Sequence, residues 1–466
     1  KAFPMSTEVA SWMRAVSSTL QRSADAAGLD DRSRKKLMDD LGEAFGAYRS
    51  AIYESGFSGT TDVALGELIE LCATSITHLD ATIRANRRSD GLYHSYNVVR
   101  FTVHATAATV EHLFEMLEGQ VAVLESGVLS PEERADVVSA LFSSGMYRAD
   151  QESFMLYPVR RLPSFLEKNV VPPEAIEENP LLRTLLDHGE RSVVIVDDAG
   201  RFRFNPDFAN RRDLEAALDV LERDRAWSDL VGEHRVATLE AYEQVFGHHG
   251  YTGRSGSMYG YEGIGSIYWH MVAKLLVAVQ GSVLDAVEHG APDETTGRLI
   301  DGYWRIRSGL GFNKTAEEFG AMPLDPYSHT PAHSGAQQPG MTGLVKEELL
   351  TRPLEVGVRV EGGEICFDPI LLRDEELLAT AETWPVYDLE LEQYEIDLPE
   401  RSLGMTVCQV PVVLTVSAGE PRVEVLFADG ESREVPGMRL DAEISAKVFA
   451  RSGEVVRIHA HLPPRT

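Results

Sequence analysis

Cysteine is scarce in this chain: Cys72, Cys366 and Cys408 are the only three in 466 residues, odd in number and far apart. That pattern excludes a disulfide framework and a zinc knuckle, and the three are expected to be small buried hydrophobes in a reducing compartment. The cytoplasm is therefore the expected location. Lysine is also rare, eight against 36 arginines. No run approaches the ~18 to 20 apolar residues of a membrane helix, and Lys1-Ala2-Phe3-Pro4 does not read as a signal peptide. Neither a membrane partner nor a leader is expected. Opening at a lysine points to a processed chain or a piece of a longer one. Basic charge is outnumbered, 44 residues to 73 acidic ones for a net charge of −29. A field of that sign repels phosphate backbones, which excludes a general nucleic-acid partner. The acidic excess with few lysines fits a protein kept soluble in salt and equally an arginine-favouring genome.

What is present is an ordinary globular composition, 43% apolar and 25% charged, in a chain long enough for two or three domains. Apolar residues recur at helical spacing in Val9-Trp12-Met13-Val16, Leu37-Leu41-Phe45-Tyr48 and Leu65-Leu68-Ile69-Cys72-Ile76. Further helices are expected over about 108–125, 131–145, 175–188, 211–224, 230–246, 266–289 and 292–308. The 131–145 helix has a clear start, with Ser130 as N-cap, Pro131 in the first turn and Glu133 at the third position. One β-hairpin near 191–205 interrupts them, its turn at Asp197-Asp198-Ala199-Gly200, and reads as a loop elaboration. From about Leu354 short β-branched stretches with Gly-rich turns take over. The expected fold class is mainly α: an (α/α) toroid of the six-hairpin glycosidase kind, complete or incomplete, over 1–353, then a small β-sandwich or jelly-roll over 354–466. In a toroid the inner-helix loops converge on one face, where a sugar chain can lie.

Four stretches are too dense in polar, aromatic and glycine residues to be ordinary connections. The first, Arg87 to Asn97, holds Asp90-Gly91 among Tyr93, His94, Tyr96 and Asn97. Asp before Gly is usually a turn or cap residue. Here its neighbours are the types that stack on sugars and read hydroxyls, which makes Asp90 a candidate catalytic or binding group. The second, Gly253 to His270, contains Arg254, Glu262, Tyr268 and His270 and runs into an apolar helix. Glycine-rich backbone admits an anion or hydroxyl, and a helix start attracts negative charge; a lone helical His is otherwise a satisfied core residue. A Walker-type phosphate loop is excluded because no Gly-Lys-Ser/Thr follows, and no serine nucleophile elbow is present. The third stretch carries Asn313 and Lys314 and ends at Asp325-Pro326-Tyr327. The fourth runs from Ser328 to Gly343 with His329, His333, Gln338 and Thr342. The two histidines have metal-ligand spacing, but Pro331 and Gly335 oppose a helix and no acidic third ligand follows, so no metal is expected.

These landmarks resemble the inverting glycoside phosphorylases of family 94, the cellobiose and chitobiose phosphorylase group. In that family a glycine-rich segment ends in an aromatic and a His opening a long helix, as Gly265-Ser266-Ile267-Tyr268-Trp269-His270 does. A Glu-Pro-Tyr and a Thr-Gly follow; here Asp325-Pro326-Tyr327 and Thr342-Gly343 stand in that order. A short strand ending in Asp-Pro is matched by Gly363 to Pro369. By resemblance Asp90 protonates the glycosidic oxygen, although Arg88-Ser89 stands where the family has Trp-Asn. His270, Thr342 and Gly343, with Gln338, would hold the attacking phosphate. Tyr93, His94, Asn97, Arg254, Tyr268, Asp325 and Tyr327 would contact sugar. Family members bring phosphate-binding arginines and a β-sandwich from well before the Asp, so the resemblance implies an N-terminal domain or partner chain completing the site.

Phosphate as the nucleophile needs one catalytic carboxyl group and no cofactor, inorganic phosphate being the co-substrate. Water needs a second carboxylate about 6.5–9.5 Å away, for which Glu262, Asp150 and Glu152 are candidates, each more readily structural. The readings are thus phosphorolysis of a β-linked gluco-oligosaccharide with inversion, inverting hydrolysis using Asp90 and Glu262, and a non-catalytic glycan-binding or assembly subunit.

Overall fold

The structure, a computed structural model, describes residues 1–23, 28–102, 105–159, 163–247, 266–310, 329–331 and 344–464. The chain divides into two compact units, Lys1–Leu156 with Ser266–Thr466, and the inserted Tyr157–Gly265.

The first unit opens with strand β1 (Ala2–Ser6), antiparallel to β2 (Thr60–Ala64). Helices α1 (Thr7–Arg22) and α3 (Leu65–Ala85) pack beside them, and α2 (Asp31–Ser55) packs on α1. Ser6 and Asp30 cap α1 and α2 by accepting from Val9 N and Ser33 N. Ala10, Met13 and Val63 form the small core here, while α2 and α3 contain no fully buried side chain. The next expected helix, from about 108, begins only at α4 (Leu117–Glu125). Residues before it form strand β4 (Ala108–His112), paired with β3 (Asn97–Phe101). Thr109-Val110 opposite Val98-Val99-Arg100 is β-branched pairing, which overrides the apolar spacing that suggested helix. In α5 (Pro131–Ser143) the Ser130/Glu133 capping box forms reciprocally. A short hairpin of β5 (Tyr147–Arg148) and β6 (Ser153–Phe154) follows.

The inserted unit holds α6 (Phe165–Lys168), α7 (Pro173–Glu177), α8 (Pro180–Asp187), the hairpin β7 (Val194–Val196) with β8 (Phe202–Phe204), α9 (Arg211–Glu222) and α10 (Ser228–Phe246). The expected hairpin is real, with Asp197 accepting from the amides of Ala199 and Arg201 and from Arg203 Nε. It is more than a loop elaboration. Leu181, Leu185, Val193, Phe204, Leu214, Leu218 and Tyr242 give the unit its own core, and Asn169 bonds both backbone groups of Phe204.

The first unit resumes with β9 (Ser266–Tyr268), α11 (Trp269–Glu288), α12 (Asp293–Ser308), β10 (His329–Pro331) and α13 (Leu344–Glu355). Among the described residues α11 is, by length and composition, long and apolar enough to cross a membrane, against the expectation that no run is. Packing against α4, α5, α12 and α13 covers most of it, so it is a core helix. Beside it lies a buried polar network. Glu355 accepts from Arg307 Nε at 2.9 Å, Tyr303 Oη at 2.6 Å and Arg352 Nη1 at 3.1 Å. Arg352 also grips Glu376 at 2.9 and 2.8 Å, and Gln280 donates to the Thr351 carbonyl.

Past Glu355 the chain is mostly strand. Hairpins β11 (Val358–Glu361) with β12 (Glu364–Phe367), and β13 (Glu382–Tyr387) with β14 (Gln393–Leu398), precede a five-stranded sheet. The sheet contains β15 (Ser402–Val407), β16 (Val410–Val416), β17 (Arg422–Phe427), β18 (Ser432–Pro436) and, after α14 (Ala442–Ala450), β19 (Val455–Leu462), in the order β15-β16-β19-β17-β18. The β16–β19 pair is parallel and the other pairs antiparallel. Val412, Leu414, Val423, Val425, Ile458 and Ala460 pack with Ile444 and Val448 of α14. Val413 meets Val386, Ile396 and Leu398 of the β13–β14 hairpin instead. Of the cysteines only Cys366 is buried; Cys72 and Cys408 are exposed, correcting the expectation for those two.

Candidate active site

The Arg87–Asn97 stretch is a tight loop seated on α4. Arg88 N donates to Leu92 O and His94 N to Asn86 O, and residues 87 and 93 form a bridge. Gly91 sits at φ +84°, a conformation that favours glycine. Gln120, fully buried in α4, accepts from Tyr93 N and donates to Tyr93 O, holding the loop as a strand neighbour would. Gly119 permits the close seat, since a side chain there would collide with Ser95 Oγ.

Asp90 occupies the turn at the exposed end. Its carboxylate accepts from Arg88 Nη2 at 2.9 Å, Arg88 Nε at 3.1 Å and Leu92 N at 3.2 Å. The Arg88 hydrogen bond holds the carboxyl below its usual range against some desolvation. Asp90 is therefore ionised at neutral pH in this arrangement, the turn-residue role the sequence also allowed. Arg88 reaches Glu115 as well, at 3.2 Å.

The other first-stretch residues divide. Tyr93 is 3% exposed and packs in the interior. His94 stacks on His112, centroids 4.2 Å apart, and its Nδ1 is 3.1 Å from the Leu113 carbonyl. Asn97 accepts at Oδ1 from His112 Nδ1 and donates to Asn86 Oδ1, while Tyr96 Oη donates to Glu118 at 3.4 Å. Desolvation, then the neighbouring His94, pushes the His112 pKa down, favouring the neutral ring. Sequence reasoning missed His112 and Glu115 because both fell in an expected helix. Only the strand pairing of β4 with β3 brings His112 opposite Asn97.

The second stretch reaches the same helix by another route. Leu117 N donates to Leu156 O at the start of α4, and residue 155 bridges Ile267 in β9. Tyr268 precedes Trp269 at the start of α11, making His270 its second residue, with the Tyr268 and His270 rings 5.8 Å apart. No acidic residue occupies the first turn of α11, and a helix start carries the partial positive charge that favours an anion. Strand β10 places residue 329, from the fourth stretch, opposite Tyr268. Asp150 is held by Arg148 at 2.7 and 3.0 Å, and Glu152 stands exposed at φ +47° in the β5–β6 turn. Arg148 is buried, a cation the sequence reading passed over. Arg254, Glu262, Asp325, Tyr327, Gln338, Thr342 and Gly343 lie outside the described residues, as do Asn313, Lys314 and His333.

Residues 162–249, a span that falls within the inserted unit, match the GH149 phosphorylase insertion domain 2. No curated protein matches the chain. With that insertion domain the chain is an enzyme of the glycoside phosphorylase class. The match speaks for such phosphorylases in general and not for family 94 in particular.

Proposed function

We propose that this enzyme cleaves a β-linked gluco-oligosaccharide by phosphorolysis with inversion. The observation that carries the reading is the phosphorylase insertion domain over 162–249. The proposed fold is an (α/α) toroid closed by the C-terminal β domain, and the proposed location the cytoplasm. No cofactor takes part beyond inorganic phosphate as co-substrate. From the family-94-like order of landmarks, the acid proposed is Asp90 and the phosphate-binding groups proposed are His270, Gln338, Thr342 and Gly343. The partial positive charge at the start of α11, where His270 is the second residue, supports the phosphate end.

In this mechanism Asp90 must carry a proton when the glycosidic bond breaks, while phosphate attacks the anomeric carbon from the opposite face. Free Asp90 is ionised, and the Arg88 hydrogen bond lowers its pKa further. Sugar binding therefore has to draw Arg88 away and exclude water, which raises the carboxyl pKa. Glu115, already 3.2 Å from Arg88, is the carboxylate that takes the released guanidinium. A domain or chain completing the site belongs to the proposal, and the exposed Ile69, Ile76 and Leu79 on α3 favour such a partner. Hydrolysis with Glu262 as second carboxylate is the alternative.

Incubation with β-glucans, with and without phosphate, tests the reading. Sugar 1-phosphate formed only with phosphate supports it; free sugar released without phosphate replaces it with hydrolysis, and binding without turnover with a glycan-binding subunit. Asp90→Asn is expected to lower kcat by at least ~10²-fold. Arg88→Ala removes the group that lowers the Asp90 pKa, so the acid stays protonated to higher pH. The high-pH limb of the kcat/KM profile, which reports the free enzyme, is then expected to move upward; an unmoved limb with full activity rejects Asp90 as the acid.

A further inference from the structure

We propose that Glu424, His459 and His461 form a zinc site on the sheet of the C-terminal domain. The register makes the cluster. Strands β17 and β19 run antiparallel with Glu424 opposite His459 and Arg422 opposite His461. Residues 459 and 461, two apart on one strand, share a face, the one opposite to Ile458, Ala460 and Leu462 in the core. One ligand atom from each of the three residues lies within 4.8 Å of the others. The two imidazoles stack with centroids 4.1 Å apart.

The contact between His461 and Glu424 separates a metal site from a plain ion pair. His461 Nε2 is 3.2 Å from Glu424 Oε1, yet this buried nitrogen has no aligned hydrogen bond. An ion pair turns its N–H toward the carboxylate. Two ligands about 2.0–2.1 Å from a tetrahedral zinc instead stand about 3.3 Å apart with both lone pairs aimed at the metal, which is the separation found.

The surroundings agree. Thr415 Oγ1, 2.8 Å from His459 Nε2, fixes that ring from outside, as hydrogen-bonding groups around metal ligands do. Arg422 is 3.3 Å from Glu424 but also 3.5 Å from Glu434, so it keeps a carboxylate when Glu424 turns to a metal. Such a zinc clasps β17 to β19 and stabilises this domain, independently of the proposed phosphorolysis.

The test uses the full chain, stripped with chelator and titrated with zinc chloride alone by calorimetry, with Tm followed in parallel. About one zinc per chain and a zinc-dependent rise in Tm are expected. His461→Ala and Glu424→Gln should each weaken binding by more than the ~10-fold expected of Thr415→Val. Cobalt(II) on the unaltered chain should show the intense visible absorption of a tetrahedral site, a readout that survives a poorly folding variant. Binding unchanged in both ligand variants, no zinc-dependent rise in Tm, or an octahedral cobalt spectrum overturns the proposal.

Discussion

Helices α3 and α11 have 21 and 20 residues and both carry apolar side chains at helical spacing, yet α3 buries none fully and α11 buries twelve. On α3, Ile69, Ile76 and Leu79 are more than half exposed. On α11, Val272, Leu275, Leu276, Val279 and Val283 are sealed by four neighbouring helices. Both sequences contain the same instruction to coil, because periodicity sets which side chains share a face. What removes that face from water is the partner. Among the helices of the first unit burial is therefore concentrated around α11, and α2 and α3 contribute little of it.

The largest effect is expected at Glu355, 1% exposed and bonded to Arg307, Tyr303 and Arg352. Glu355→Ala strands a buried guanidinium and should cost about 3–5 kcal/mol, seen as a fall in the urea midpoint. Next comes Leu276→Ala in α11, which leaves a cavity in a fully buried layer and should cost about 2–5 kcal/mol. Ile69→Ala on α3 should shift stability by no more than about 0.5 kcal/mol, since the side chain is already wet. A large loss at Ile69 would break the comparison by showing that another molecule covers α3 in solution.

The legible parts of the fold were those written in local chemistry. The Ser130-Pro131-Glu133 cap, the Asp197–Gly200 turn and the β-branched runs at 410–416 and 422–427 each specify their element through neighbours in sequence. The 108–112 strand was not legible, because its pairing with 97–101 competes with a weak helical pattern and wins only once the hairpin closes. The site was legible in the same partial way. Asp90-Gly91 could be picked out as a turn rich in sugar-binding types, and His270 as the opening of an apolar helix. That Arg88 clamps Asp90, that Tyr93 is sealed, and that His94 stacks on His112 follow from how the loop sits on Gln120 and Gly119.

By itself, then, the sequence determined a mainly helical chain ending in strands, caps and turns at definite residues, and a net charge of −29. Those properties depend on hydrogen bonds and periodicities within a few residues, and on charge, which is additive. Only the tertiary structure decided which helices are core, which titratable groups are paired, and that Glu424 meets His459 and His461. Burial and pKa depend on what approaches from distant parts of the chain, and only the folded register of strands and helices sets those approaches.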